Sequence, residues 1–337
     1  MPHRRPIALV ALLTTLSFAC TPQPPPVAVE RITYNNWPDA VRLRNGACEL
    51  VVVPAVSRVM HFGPAGGPNL LWENPKLAGR TFPADPRDWQ NVGGEKLWPT
   101  QQNLFGKFTG IGFDWPPPWP WDGGPSKAEL LPDGVRLTLP HDARFGAHAV
   151  REFRLDPVRP LVHVRQWIAK TQGPPVPMCV WTVMQVNDPA FAFLPTPDGT
   201  FADMGSFEGN VTAIPGQVSI TRHDTKGRKV GIKPTGQNGY AAAVFETPKG
   251  RSLLVQSHKL AEGATYPDKG MQAELYASPR NVAHYTELEL LGPFRELKPG
   301  ERLSDDQVWQ IQSLPPQTDP VDAARASHER ALEVLKR

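Results

Sequence analysis

The sequence predicts an all-β chain, a large antiparallel sandwich closed by a C-terminal helix, and three observations carry that prediction. Short runs of alternating apolar and polar residues recur along the chain, separated by turn residues. The 337 residues include 28 glycines and 39 prolines, well above the usual combined share of roughly 12%, which disfavours long helices. A sustained helical pattern occurs only near the C-terminus.

The first segment is of another kind. Arg4 and Arg5 precede an uncharged, mainly apolar run over 7–19, then Cys20 and the prolines of 22–26. A positive start, a short apolar run and a small exit residue are the order of an export signal. The run is too short for a membrane-spanning helix, which needs roughly 20 residues. Residues 1–19 are therefore expected to be a signal peptide, with 20–37 a lipidated Cys20 followed by a proline-rich tether. This resembles a bacterial lipoprotein signal, with membrane attachment through a lipid on Cys20 and a place in the cell envelope, at the outer membrane or in the periplasm. Ser17 stands three residues before the cysteine, where such signals usually carry Leu. Together with Ala19 it also suits simple cleavage, so both routes stay open.

Residues 38–315 form the expected β domain. Val41 and Leu43, then Asn45-Gly46, then Cys48, Leu50 and Val52 alternate around a hairpin turn. A second pair is expected at 58–62 and 69–72, a third at 128–131 and 135–139 around Pro132-Asp133-Gly134, and a fourth at 150–155 and 161–169. Further strands are expected at 178–186, 218–222, 240–246, 252–258, 271–277, 284–290 and 308–312. Residues 316–337 carry the helix: Asp319 is a natural cap, Pro320 suits the first turn, and Ala324, Leu332 and Leu335 form an apolar stripe.

Composition excludes several functions. The formal charge is +3, of which two positive charges are Arg4 and Arg5, so no nucleic-acid partner is expected. No C-x-x-C or H-E-x-x-H spacing occurs, and no metal or other cofactor is expected. Nucleophile-elbow, phosphate-loop and dinucleotide motifs are absent as well. Beyond Cys20 stand Cys48 and Cys179, which in an oxidising compartment either pair or remain two buried thiols. No protein partner is inferable.

Six of the ten tryptophans, Trp72, Trp89, Trp98, Trp115, Trp119 and Trp121, fall in one stretch rich in Pro and Gly. An aromatic-rich stretch is not disordered, so 74–127 reads as an ordered insertion at the rim of the sandwich. Aromatic faces stack on the apolar C–H faces of sugar rings, and a carbohydrate is the expected ligand.

Three segments carry a family resemblance: 49–72, ending in Gly-Pro-Asn-Leu-Leu-Trp; Gly93-Gly94-Glu95-Lys96-Leu97-Trp98-Pro99; and 285–309, with Tyr285-Thr286-Glu287-Leu288-Glu289-Leu290 followed by Gly292-Pro293, a Pro-Gly-Glu turn and Trp309. In this order they resemble the galactose mutarotase-like, or aldose epimerase, superfamily, and among it uncharacterised bacterial lipoproteins. The resemblance implies a β-supersandwich, a sugar pocket beside the double-glycine segment, and Glu289 as general base at the anomeric carbon. Alternation puts Tyr285, Glu287 and Glu289 on one face of their strand, where two carboxylates raise each other's pKa. In epimerases a histidine on a central strand supplies the acid, and the corresponding segment 178–185 has none. His258 is a candidate replacement. Lys96, Trp98, Gln101, Trp119, Trp181 and Arg151 are candidate sugar-binding residues. Two functions stay open, a non-catalytic or chemically altered carbohydrate-binding lipoprotein and an aldose 1-epimerase-like enzyme.

Overall fold

The structure, a computed structural model, describes Met1 and residues 27–84, 89–110, 114–205, 210–236, 238–247 and 250–336. The expected signal peptide and Cys20 lie outside the described residues.

Alternating sequence becomes two large antiparallel sheets stacked face to face. The first has ten strands in the order Ala28–Tyr34, Trp37–Arg44, Cys48–Val53, Arg58–Pro64, Glu95–Trp98, Trp181–Asn187, Tyr285–Leu291, Ala273–Ala277, Arg228–Ile232, Ala202–Asp203. The second is built around Tyr240–Thr247, Gly250–His258, Gln307–Leu314, Leu161–Lys170 and Ala147–Leu155. Leu97, Met184, Leu275, Leu288 and Leu290 of the first sheet share one buried core with Val164, Ala243, Leu254 and Trp309 of the second. Each fully buried side chain of this size contributes about 1.5–3 kcal/mol of transfer free energy.

Most expected hairpins are present. The Asn45 side chain stabilises the first turn by accepting from the backbone N–H groups of Ala47 and Cys48, both at 2.7 Å. The third and fourth hairpins are Lys127–Leu131 with Gly134–Thr138, and Ala147–Leu155 with Leu161–Lys170. There are three differences. The expected tether runs into the sheet early, because Ala28–Tyr34 pairs with Trp37–Arg44. Residues 69–72 make no second hairpin strand; Leu71 bridges Val186 instead, while the Asn69 side chain accepts from Phe62 N–H and donates to the Met60 carbonyl. Arg228–Ile232 is a further strand, not expected from the sequence, whose run opens on the adjacent basic residues Arg228 and Lys229.

The helix Pro320–Leu335 begins where expected, with the Asp319 carboxylate accepting from Val321 and Asp322 N–H groups. Its buried residues are Ala324, Ser327, His328 and Ala331, so small side chains seat it on the outer face of the second sheet. Leu332 and Leu335 remain only partly buried, a correction to the stripe read from sequence.

Cys48 and Cys179 are free and buried. They are not paired: Cys48 lies in the core between the sheets, whereas Cys179 packs with Trp98, Phe105 and Trp181.

Candidate functional site

Strand register assembles the site. Lys96 stands opposite Val183, which stands opposite Glu289, which stands opposite Glu274. One step along, Gln185, Glu287, Tyr276 and Lys229 form the parallel row. Because side chains alternate, both rows share the face turned away from the core. The closing strand Tyr285–Leu291 is central and buried throughout, so its carboxylates are not the solvated face of an edge strand.

The insertion covers this face, and the double glycine makes that possible. Gly93 and Gly94 have φ of +98° and +73°, and a Cβ there would meet the carbonyl oxygens of Trp72 and Val59 respectively. Only glycine permits such backbone approach. Leaving this turn, Glu95–Trp98 joins the sheet beside Trp181–Asn187.

A cleft of about 300 Å³ results. Trp89, Trp98 and Trp115 line it, packed edge to face with ring centroids 4.7 Å (Trp89 and Trp115) and 5.7 Å (Trp98 and Trp115) apart. Its polar lining includes Glu287, Glu289, Lys229, Tyr276 and Tyr285, with Gln102 and Met204 also present. Asp122 holds two of the tryptophans, accepting from Trp98 Nε1 at 2.8 Å and Trp89 Nε1 at 3.0 Å. Buried Arg58 binds the same carboxylate at 2.9 Å.

Electrostatics follow from burial. Glu289 accepts from Trp181 Nε1 at 2.9 Å and lies 3.8 Å from Lys229 Nζ, which approaches Glu274 to 2.6 Å and Asp268 to 3.8 Å. Desolvation pushes Glu274 and Glu289 above the usual carboxylate range, against the pull of the Lys229 ammonium. Burial alone would lower Lys229, but Glu274 and Glu289 outweigh it and hold its proton more firmly than usual. Tyr276 and Tyr285 are raised by burial and by the nearby Glu287 charge, so both stay phenols. Lys96 is fully buried 3.7 Å from Glu287 Oε1 and lies over the Trp89 and Trp98 rings; burial pulls its pKa down to about 8.

The architecture matches solved structures. The chain is similar to a galactose mutarotase-like protein from Lactobacillus casei ATCC 334 (10% identity, 81% of this chain and 100% of that one, TM-score 0.54). A galactose mutarotase related enzyme from Lactobacillus acidophilus is similar too (8% identity, 83% and 99%, TM-score 0.53), as is the Slr1438 protein from Synechocystis sp. PCC 6803 (14% identity, 90% and 100%, TM-score 0.55). The chain has the galactose mutarotase-like fold. No protein-family model matches the sequence, and no curated protein matches it.

Within this galactose mutarotase-like fold the expected site residues divide. Glu287, Glu289 and Trp98 line the cleft; Trp181 lies beneath it as the hydrogen-bond donor to Glu289, and Lys96 beside it, closed off from solvent. Four others are corrected. His258 is 1% exposed, with Nδ1 on Asp305 and Nε2 on Gln272, both at 3.0 Å; it is a core histidine on the second sheet and does not line the cleft. Arg151 is buried against Glu95 at 2.5 Å and Gln166 at 3.0 Å, because an interior guanidinium needs a counter-ion. Gln101 bonds Asn103 and the Asp268 N–H, leaving the cleft to its neighbour Gln102. Trp119 starts the short helix Trp119–Asp122, whose last residue serves the site instead. Lys229, Tyr276 and Asp122 were not read from sequence. The period-two run through Tyr276 was a signal for that residue, but nothing local marks Lys229 or Asp122.

Proposed function

We propose that this chain is an exported carbohydrate-binding protein of the cell envelope, anchored through a lipid on Cys20, with a sugar ring held in the tryptophan cleft. The observation that carries this reading is that three tryptophans and two carboxylates line one cavity. Indole faces receive the apolar C–H face of a pyranose, while Glu287 and Glu289 accept from its hydroxyl groups. The volume lies at the small end of ligand pockets and suits one sugar or the end of a glycan. Arg4, Arg5, the apolar run over 7–19 and Cys20 support export, which favours glycans and their fragments over phosphorylated cytoplasmic sugars.

Glu289 keeps a second reading in view, an anomeric epimerase. A carboxylate held above its usual range inside the cleft suits a base that takes the anomeric hydroxyl proton. The matching acid is the weak point. Lys229 and both tyrosines hold their protons too firmly to pass one to a ring oxygen near neutral pH, and among the described residues no histidine lines the cleft. Binding without turnover is therefore the reading supported best.

A glycan-binding screen combined with NMR measurement of anomer exchange tests both. Binding with exchange at the uncatalysed rate is the expected result. Exchange accelerated by wild type and lost in Glu289→Gln establishes the epimerase instead, and a screen without any bound sugar removes both readings. Incorporation of labelled palmitate into wild type but not Cys20→Ala tests the anchor.

A further inference from the structure

Among the described residues that line the cleft, two carboxylates, Glu287 and Glu289, stand against one ammonium, Lys229, and the cations in and around it are already committed. Glu274, Glu287, Glu289 and Asp268 meet two ammonium groups, Lys229 and Lys96. Lys229 is engaged by Glu274, Glu289 and Asp268 together. Lys96 is fully buried and does not line the cavity. Arg58 and Arg151, the nearby guanidiniums, are fully buried against Asp122 and Glu95. Among the described residues no cation that lines the cleft is left without a carboxylate partner.

Glu287 is the complementary feature. It lines the cleft at 8% exposure, and its Oε1 accepts from Gln185 Nε2 at 2.8 Å. Among the described residues its Oε2 has no hydrogen-bond partner. A carboxylate oxygen left open in a largely desolvated, aromatic-lined cavity attracts a donor that brings its own positive charge. Indole faces add to that attraction, because their π clouds favour cations.

Resting on the carbohydrate reading above, we propose that the preferred ligand is a sugar with a free protonated amine, its ammonium on Glu287 and its ring against the tryptophans. Neutral hexoses fit the same walls but leave the Glu287 oxygen without a charged partner. Uronic acids bring a second negative charge to it. N-acetylation removes the ammonium and adds bulk, so acetylated amino sugars lose the gain.

Calorimetric titration of the full chain with glucosamine, galactosamine and mannosamine, against the parent hexoses, their N-acetyl forms and glucuronate, tests the proposal. At least one hexosamine is expected to bind about tenfold more tightly than its parent hexose, the size of one charge-assisted hydrogen bond. Glu287→Gln, which keeps an acceptor for Gln185, is expected to erase that preference, so that hexosamine and parent hexose bind the variant with equal affinity whatever its affinity for either. Equal affinity for hexose and hexosamine, or tighter binding of glucuronate, overturns this inference and leaves the carbohydrate reading standing. Silence toward every sugar overturns both. If the variant melts early, the comparison among ligands on wild type alone decides.

Discussion

Trp98 donates its indole N–H to Asp122 Oδ1 at 2.8 Å. The other oxygen of that carboxylate accepts from Trp89 and pairs with Arg58, so one buried acid fixes two walls of the cleft and a cation behind them. Asp122→Asn is expected to cost about 3 kcal/mol, because Arg58 loses its counter-ion in the interior, and to weaken sugar binding as the indoles lose their anchor. Denaturant titration and tryptophan emission report the two effects. Unchanged stability together with unchanged emission is incompatible with this role.

Trp115 packs edge-on against Trp89 and Trp98 and is only partly buried. Trp115→Ala should therefore remove a ligand-facing ring at small structural cost, lowering sugar affinity by roughly tenfold. Affinity that survives this change would place the ligand elsewhere.

Lys96 makes stability depend on pH. Its pKa is lowered from 10.5 to about 8 by burial, so between those values the unfolded chain binds the extra proton and stability rises with pH. Below about 8 the folded protein carries the cost of a buried ammonium, about 3 kcal/mol at 1.36 kcal/mol per pKa unit. Lys96→Met is expected to be more stable than wild type at neutral pH by up to that amount, with the difference closing as pH passes 10.5. Unfolding curves for both proteins across this window check it; parallel curves contradict the assignment.

Asp319 satisfies two N–H groups at the start of the C-terminal helix. Asp319→Ala should cost about 1 kcal/mol, while Asp319→Ser recovers most of it. Since the helix packs on the sheet opposite to the cleft's, sugar affinity in both variants should match wild type.

Local pattern carried much of the architecture. Alternation in Tyr285–Leu291 was enough to place Glu287 and Glu289 on one face, and the double glycine marked the turn that seats Lys96 and Trp98. Local pattern misjudged residues whose partners are distant. Arg151 and His258 read as available groups because Glu95, Asp305 and Gln272, which bind them, are far away or unremarkable in sequence. Lys229 was not singled out because the carboxylates that hold it belong to strands 45 and 60 residues later.

By itself the sequence determined the strand faces, the capped helix and the concentration of tryptophans, since each depends on side-chain period or on contacts a few residues apart. Only the tertiary structure decided which face became a cleft, that Asp122 orders its walls, and that its cations are already paired. Those outcomes depend on strands pairing across the chain and on an insertion folding over them, and the burial that raises Glu289 exists only once both have happened.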